Sequence, residues 1–163
     1  VKGISADSRQ GDIRLLDLLS QMGCRVAKTA AGVAVSGAGL SAVDVDMSDM
    51  PDVVPTLAVV AAFARGRTLI RNVSHLREKE SDRLAAVTSE LNRIGIEAGC
   101  DANTLWVQGG SPHGAAVETH NDHRIAMSFA VAGLKTPGVV ILGERCVEKS
   151  FPTFWETFER LYG

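Results

Sequence analysis

The sequence has 163 residues, a formal charge of −2 and 45% apolar residues, a composition typical of a globular domain. The near balance of acidic and basic residues excludes the broad cationic surface of a nonspecific nucleic-acid binder. Charged side chains interrupt the longest apolar runs, so the sequence predicts no membrane span. Its three cysteines are far apart, which favours a reducing compartment, and we expect a cytoplasmic protein.

The first part of the chain contains four predicted elements. Apolar residues at helical spacing over 12–23, with Asp12 as an N-cap, predict an amphipathic helix. A hairpin is expected over 25–35. The segment 56–64 consists of small apolar residues with almost no polar face, which predicts a buried helix. A β-branched strand is expected at 68–73.

The rest of the chain repeats this order. The predicted elements are an amphipathic helix at 81–95, a hairpin at 96–107, a buried helix at 125–132, a strand at 139–142 and a last amphipathic helix at 150–163. The glycines that end the three amphipathic helices recur about every 70 residues, which indicates an internal repeat. Because the sequence starts inside such a unit, we expect a fragment whose residues 1–163 form a single domain.

Three polar clusters interrupt the apolar pattern, each shortly before a helix. The first, at 44–52, has four carboxylates but lacks the spacing and glycine of a calcium loop. By its residues alone it is a solvated loop with Asp52 as an N-cap.

The second cluster places Lys79 and Arg83 four residues apart, on one helix face beside Glu80. Cations at a helix N-terminus oppose the macrodipole, which favours a bound anion there. An exposed, salt-bridged helix start is the alternative that the residues leave open.

The third cluster carries His120 and His123, but only Asp122 offers a nearby third ligand, so we expect no metal site. Asp122 is a good N-cap with Arg124 in the first turn after it. Lys149 precedes the last helix. If the repeats share an orientation, these helix starts converge on one face, where cations would bind an anion beside acid–base carboxylates.

Four motifs carry a resemblance to a known family. They are DMSDMPD at 46–52, LREKESDR at 76–83, NDHRIAM at 121–127 and KSFP at 149–152. In this order they resemble the C-terminal half of 5-enolpyruvylshikimate-3-phosphate synthases. The resemblance implies the α/β enolpyruvyl transferase fold, made of repeated inside-out units with buried helices and outer mixed β-sheets. It also implies that the chain is most of the C-terminal domain of a two-domain enzyme whose N-terminal domain is absent.

The family's reaction moves the enolpyruvyl group of phosphoenolpyruvate to the 5-hydroxyl of shikimate 3-phosphate and releases phosphate, on the route to chorismate and the aromatic amino acids. By motif position, Asp52 resembles the base at the 5-hydroxyl and a contact to the shikimate ring. Glu80 resembles the acid at the methylene carbon, and Lys79 a contact to shikimate 3-phosphate. The cations that the resemblance assigns to phosphoenolpyruvate are Arg83, Arg124 and Lys149.

The resemblance implies no metal and no organic cofactor. The expected partners are the two substrates and the N-terminal domain of the same chain, in a monomeric parent that contacts neither nucleic acid nor membrane. Two alternatives stay open. One is a noncatalytic anion-binding or assembly module on the same repeat fold, and the other is a metal hydrolase that uses His120 and His123. For the transferase itself, we expect the isolated fragment to show no transfer activity, because the missing half would supply contacts to shikimate 3-phosphate and close the cleft.

Overall fold

The computed structural model describes residues 1–4, 8, 10–37 and 39–162. The helices and strands in these ranges are α1 Leu15–Gln21, β1 Arg25–Thr29, β2 Gly32–Ser36, β3 Asp44–Asp46, α2 Val54–Ala61, β4 Arg67–Arg71, α3 Arg83–Arg93, β5 Ala98–Cys100, β6 Thr104–Gln108, β7 Ala116–Glu118, α4 His123–Gly133, β8 Val140–Leu142 and α5 Phe154–Tyr162. Short 3-10 turns lie at Gly11–Arg14, Pro51–Val53, Ser74–Glu78 and Glu144–Val147. None of the helices in the described ranges has the length and apolar character needed to cross a bilayer.

The element order confirms the predicted repeat. The series helix, hairpin, strand, helix, strand runs from α1 to β4 and again from α3 to β8, before α5 begins a third round. The hairpins β1–β2 and β5–β6 are antiparallel, as expected. Two short strands, β3 and β7, had no counterpart among the predicted elements. Each precedes a central helix and pairs in parallel with the strand that follows that helix.

The strands of the described residues form three small sheets. The hairpin β1–β2 stands alone, a mixed four-stranded sheet has the order β3-β4-β6-β5, and β7 pairs with β8. Strand β4 alternates strictly: Thr68 and Ile70 are buried, whereas Arg67 and Arg71 are exposed. This alternation is typical of a sheet with one face on the core and the other in solvent. The outer sheets of the inside-out architecture are therefore present.

The central helices α2 and α4 pack against each other. Helix α2 is buried almost all round, as the apolar segment 56–64 predicts, and Leu57, Ala58 and Ala61 are inaccessible. Helix α4 is buried only in part, because Val131 is 48% exposed. Four strands form the sheet of α2, but only β7 and β8 accompany α4. The prediction of a fully buried second helix is thus correct for one side of α4.

The predicted helix ends are more accurate than the predicted starts. Gly23 and Gly95 adopt left-handed φ angles of 106° and 83° just beyond α1 and α3, which favours glycine as a helix stop. Gly163 lies outside the described residues. Asp12 is not an N-cap, because it lies within a 3-10 turn and α1 begins after Arg14. Pro152 precedes α5 instead of lying in its first turn.

Candidate active site

The predicted site residues lie on loops that follow the carboxyl ends of four strands. Asp52 follows β3, Lys79 and Glu80 follow β4, residues 119–122 follow β7, and Lys149 follows β8. Each of β3 and β7 leads through a helix into a parallel partner. Crevices outside the carboxyl ends of parallel strands are where open α/β sheets bind ligands. This topology explains why segments far apart in sequence meet at one end of the molecule.

Arg83, the first residue of α3, is the centre of the cluster. Its side chain is only 1% exposed, and each part of the guanidinium group donates to a different carboxylate. Nε donates to Asp122 Oδ2 at 2.6 Å, Nη1 to Asp52 Oδ1 at 2.9 Å, and Nη2 to Glu80 Oε2 at 2.6 Å. Burial opposes the charge, but the hydrogen bond and charge of Asp122 raise the pKa of Arg83 above its ordinary value. The group is therefore a permanent buried cation.

Asp122 is the fully buried partner of Arg83. It is also the N-cap of α4, as predicted, and accepts from the backbone N–H of Arg124 at 2.9 Å. Burial disfavours its charged form, but the hydrogen bonds from Arg83 and from the Arg124 amide hold the pKa of Asp122 below 3.8. Asp122 is consequently a carboxylate at neutral pH. Its pairing with Arg83 was not predicted, because 39 residues separate the two.

Asp52 bridges two arginines. Oδ1 accepts from Arg83, and Oδ2 accepts from Arg124 Nη2 at 3.0 Å, while Arg124 Nη1 donates to the Asp52 carbonyl at 3.1 Å. Lys79 Nζ lies 3.9 Å from Oδ1. The prediction that Asp52 is an N-cap is wrong: the residue lies inside the 3-10 turn Pro51–Val53, and two guanidinium groups occupy its side chain.

Glu80 contacts Arg83 with one oxygen and faces His123 with the other, Oε1 lying 4.0 Å from His123 Nδ1. Within the described residues, Nδ1 of His123 is buried without a hydrogen-bond partner. Burial lowers the pKa of His123, although the charge of Asp122 opposes that shift. A neutral imidazole therefore lies beside Glu80. The sequence had suggested His123 only as a metal ligand, so this proximity was missed.

The two lysines lie at the edge of the cluster. Lys79 does not share a helix face with Arg83, because Lys79 is extended and the helix begins after Asp82. Lys149 Nζ donates to the carbonyl of Asn121 at 3.2 Å, next to the buried Asp122. The structure thus brings Arg83 and Arg124 together on Asp52. It joins Lys149 to the loop that precedes Arg124. Within the described residues, Lys149 forms no ion pair with the neighbouring Glu144 or Glu148.

The two histidines of the third cluster point to different carboxylates. His120 Nε2 lies 3.0 Å from Glu90 Oε1, whereas His123 faces Glu80. The described part of the chain contains no group of three or more residues arranged to hold a metal ion. What the cluster does offer is a pair of half-exposed carboxylates, Asp52 at 38% and Glu80 at 37%. Carboxylates among guanidinium groups suit acid–base chemistry on an anionic substrate.

Comparisons with known proteins agree on one family. The family model described as EPSP synthase (3-phosphoshikimate 1-carboxyvinyltransferase) matches residues 1–158. The 3-phosphoshikimate 1-carboxyvinyltransferase of Syntrophobacter fumaroxidans is 54% identical over 162 residues, which cover 97% of this chain and 38% of that protein. The enzyme of the same name from Trichormus variabilis is 43% identical, over 100% of this chain and 38% of the relative.

Solved structures give the same result. EPSP synthase from Acinetobacter baumannii superposes with a TM-score of 0.83 at 31% identity, over 98% of this chain and 40% of that structure. The enolpyruvyl transferase NikO from Streptomyces tendae superposes with a TM-score of 0.73 at 28% identity, over 91% of this chain and 35% of that one. The chain therefore spans about two fifths of the length of the proteins that it matches.

Proposed function

This chain belongs to the EPSP synthase family, and from that membership we propose that it forms most of the C-terminal domain of a two-domain 3-phosphoshikimate 1-carboxyvinyltransferase. Its coverage of 38% of the relatives' length supports a part of a longer protein, and the order of the four motifs favours the C-terminal part. The half-exposed site would then be one wall of a cleft, with the second domain as the other wall. We expect the complete protein to be a cytoplasmic monomer that needs neither metal nor organic cofactor.

The proposed reaction joins the 5-hydroxyl oxygen of shikimate 3-phosphate to C2 of phosphoenolpyruvate. The hydroxyl loses a proton while the methylene carbon C3 gains one, so that C2 becomes tetrahedral and C3 a methyl group. Loss of a proton from that methyl group and departure of phosphate from C2 then restore the carbon–carbon double bond. The sequence needs one group that exchanges a proton with oxygen and one that exchanges a proton with carbon. Two half-exposed carboxylates in one site are the observation that carries the proposal.

We assign the oxygen-directed step to Asp52. Its carboxylate is held between Arg83 and Arg124. A substrate carboxylate or phosphate that binds Arg124 competes with Asp52 for the same guanidinium. Loss of that hydrogen bond frees Oδ2 of Asp52 to accept a hydrogen bond from the substrate hydroxyl. Binding of phosphoenolpyruvate would thereby prepare the base for the hydroxyl proton.

We assign the carbon-directed step to Glu80. Glu80 shares Arg83 with Asp52 and Asp122. Asp122 is buried on Arg83, whereas Glu80 is half exposed and can exchange a proton with water. The neighbouring His123 is kept neutral by burial.

The cations divide between the two substrates in this proposal. Phosphoenolpyruvate carries a phosphate and a carboxylate, both of which fit the planar fork of an arginine. Arg124 is accessible for this contact, and Lys149 lies on the adjacent loop. Arg83 is buried, so phosphoenolpyruvate reaches its Nη atoms only by displacing Glu80 or Asp52. Lys79, beside Asp52, is the proposed contact to shikimate 3-phosphate.

Phosphate release by the complete protein, with both substrates present, tests the proposal. Glu80→Gln keeps the shape of the side chain but removes the proton donor, so kcat should fall by about 10²–10⁴-fold. Glu78→Gln is the matched control, because Glu78 is exposed and lies two residues earlier in the 3-10 turn. Its kcat should stay within about twofold of wild type, as expected for an exposed surface change.

Two results would contradict the proposal. A wild-type protein that binds phosphoenolpyruvate but releases no phosphate would indicate a noncatalytic anion-binding module. Equal losses of kcat in the Glu80 and Glu78 variants would remove Glu80 from the chemistry. The isolated 163-residue chain should show no turnover, because the groups of the second domain and the closure of the cleft are missing.

A further inference from the structure

A second buried carboxylate lies behind the proposed site and takes no part in the assigned steps. Glu90, on α3, is fully buried. Its Oε2 accepts from the backbone N–H of Glu118 at 3.0 Å and lies 3.1 Å from Arg93 Nε, while Oε1 lies 3.0 Å from His120 Nε2. A buried charge is costly unless it is fully paired. One of these partners, Glu118, ends β7, and another, His120, lies in the loop between β7 and α4.

That loop has an unfavourable backbone. His120 and Asn121 are consecutive non-glycine residues with left-handed φ angles of 51° and 55°. Such conformations cost free energy and persist where the surrounding structure holds them in place. Two contacts at the start of the loop involve Glu90, one with the N–H of Glu118 and one with the ring of His120. The hydroxyl of Thr119 also donates to the Gly143 carbonyl at 3.4 Å.

The turn leads directly into the site. Asn121 offers its carbonyl to Lys149, and the next residue, Asp122, binds Arg83 and caps α4. Arg124 follows in the first turn of the helix and reaches Asp52. A change in the left-handed pair would therefore displace the contact of Lys149 and the positions of Asp122 and Arg124 together.

We propose that Glu90 is a positioning residue for the phosphoenolpyruvate half of the site. By clamping the Glu118 amide and the His120 ring, it holds the left-handed turn that places Asp122, Arg124 and the contact of Lys149. This role rests on the proposed function, in which Arg124 and Lys149 bind phosphoenolpyruvate. Asp52 and Lys79 lie on other loops. Loss of the Glu90 contacts should therefore weaken the binding of phosphoenolpyruvate far more than the binding of shikimate 3-phosphate.

Two substitutions separate the hydrogen bonds of Glu90 from its charge and size. Glu90→Leu fills a similar volume but removes every acceptor. Glu90→Gln keeps an oxygen for the Glu118 amide and places an NH₂ group beside His120 Nε2, a ring nitrogen that can accept a hydrogen bond. Thr68→Val is the matched control for loss of a buried polar group, because Thr68 is inaccessible in β4 and its hydroxyl accepts from the Val43 amide at 3.4 Å.

The first readout is the pair of KM values in the complete protein. Misplacement of binding groups by a fraction of an ångström to one ångström costs up to about a hundredfold. We therefore expect Glu90→Leu to raise KM for phosphoenolpyruvate by about 10- to 100-fold and to leave KM for shikimate 3-phosphate nearly unchanged. Glu90→Gln should restore most of the loss. Thr68→Val should leave both KM values near wild type.

The second readout is amide hydrogen exchange in the same proteins. The amides of Asp122 and Arg124 are bonded to Thr119 O and Asp122 Oδ1, so their exchange reports the turn directly. Both should exchange faster in Glu90→Leu and at the wild-type rate in Thr68→Val. If Glu90→Leu does not fold, His120→Ala should shift the same amides and the same KM, because it removes one arm of the clamp.

Three outcomes would overturn this role: equal increases in both KM values, unchanged exchange at Asp122 and Arg124, or a glutamine variant as impaired as the leucine variant. Failure of the proposed function is distinguishable from these. In that case the wild-type protein would not turn over, whereas hydrogen exchange in the variants would still decide whether Glu90 holds the turn.

Discussion

Neutralising Asp122 should reveal how strongly the buried ion pair stabilises the fold. Asp122→Asn keeps the size of the side chain and an oxygen that can cap α4. It leaves Arg83, whose side chain is 1% exposed, with one carboxylate partner fewer. Breaking a buried ion pair costs about 3–5 kcal/mol. Because Asp52 and Glu80 still contact Arg83, we expect the lower end, about 3 kcal/mol.

Asp82→Asn is the matched control. Asp82 caps α3 by accepting from Ala85 N and pairs with Arg77 at 2.8 Å, but these two side chains are 39% and 36% exposed. Exposed ion pairs contribute about 0.2–1 kcal/mol, so the control should lose no more than that. For a chain of this size, the melting temperature should fall by about 6–12 °C for Asp122→Asn and by at most about 4 °C for Asp82→Asn.

The assay is urea unfolding of wild type and both variants, followed at several pH values. The pKa of Asp122 lies below that of an unfolded aspartate, so its stabilisation is complete above that unfolded value and is lost as pH falls through the folded pKa. The difference between wild type and Asp122→Asn should therefore shrink below about pH 4. Equal and small losses in the two variants at neutral pH would refute the importance of the buried pair.

Three further changes should have measurable effects. Gly109→Ala should lower the free energy of unfolding in urea by about 3 kcal/mol, because a Cβ would overlap the Ala64 carbonyl. In the control Gly110→Ala the Cβ would meet Ile96 Cδ1 at an ordinary 3.4 Å, so the loss should stay below about 0.5 kcal/mol. Burial lowers the pKa of His123 below 6.5, so wild type should lose stability relative to His123→Gln as pH falls from 7 to 5; parallel pH profiles would contradict this. Arg124→Lys cannot form both hydrogen bonds to Asp52, and KM for phosphoenolpyruvate should rise at least about tenfold; an unchanged KM would separate Arg124 from that substrate.

Local features of the fold were predictable because neighbouring residues determine them. A glycine after an amphipathic stretch ended α1 and α3, and turn residues between alternating strands gave both hairpins. The strands Asp44–Asp46 and Ala116–Glu118 were not predictable in this way. Each has three residues, too few for an alternation pattern, and forms by pairing with a strand beyond the next helix.

The residue types of the candidate site were predictable, but their contacts were not. The motifs indicated cations and carboxylates at helix starts, and the structure brings Asp52, Glu80, Arg83 and Arg124 together. The side-chain hydrogen bonds from Arg83 to Asp52 and Asp122 and from Arg124 to Asp52 span 31 to 72 residues, so no local spacing reveals them. Asp52 was mistaken for a cap because a carboxylate before a helix is usually one. Its two guanidinium partners come from the first turns of α3 and α4.

A crystal structure of the complete protein with phosphoenolpyruvate bound is the most direct test of the account. We predict that the phosphate or carboxylate of the ligand lies about 3 Å from the guanidinium nitrogens of Arg124, with Lys149 beside it. The hydrogen bond between Asp52 and Arg124 should be lengthened or lost, and Glu80 should face C3 of the ligand. Phosphoenolpyruvate bound away from the loops that follow β3, β4 and β7, with the Asp52–Arg124 pair intact, would contradict the account.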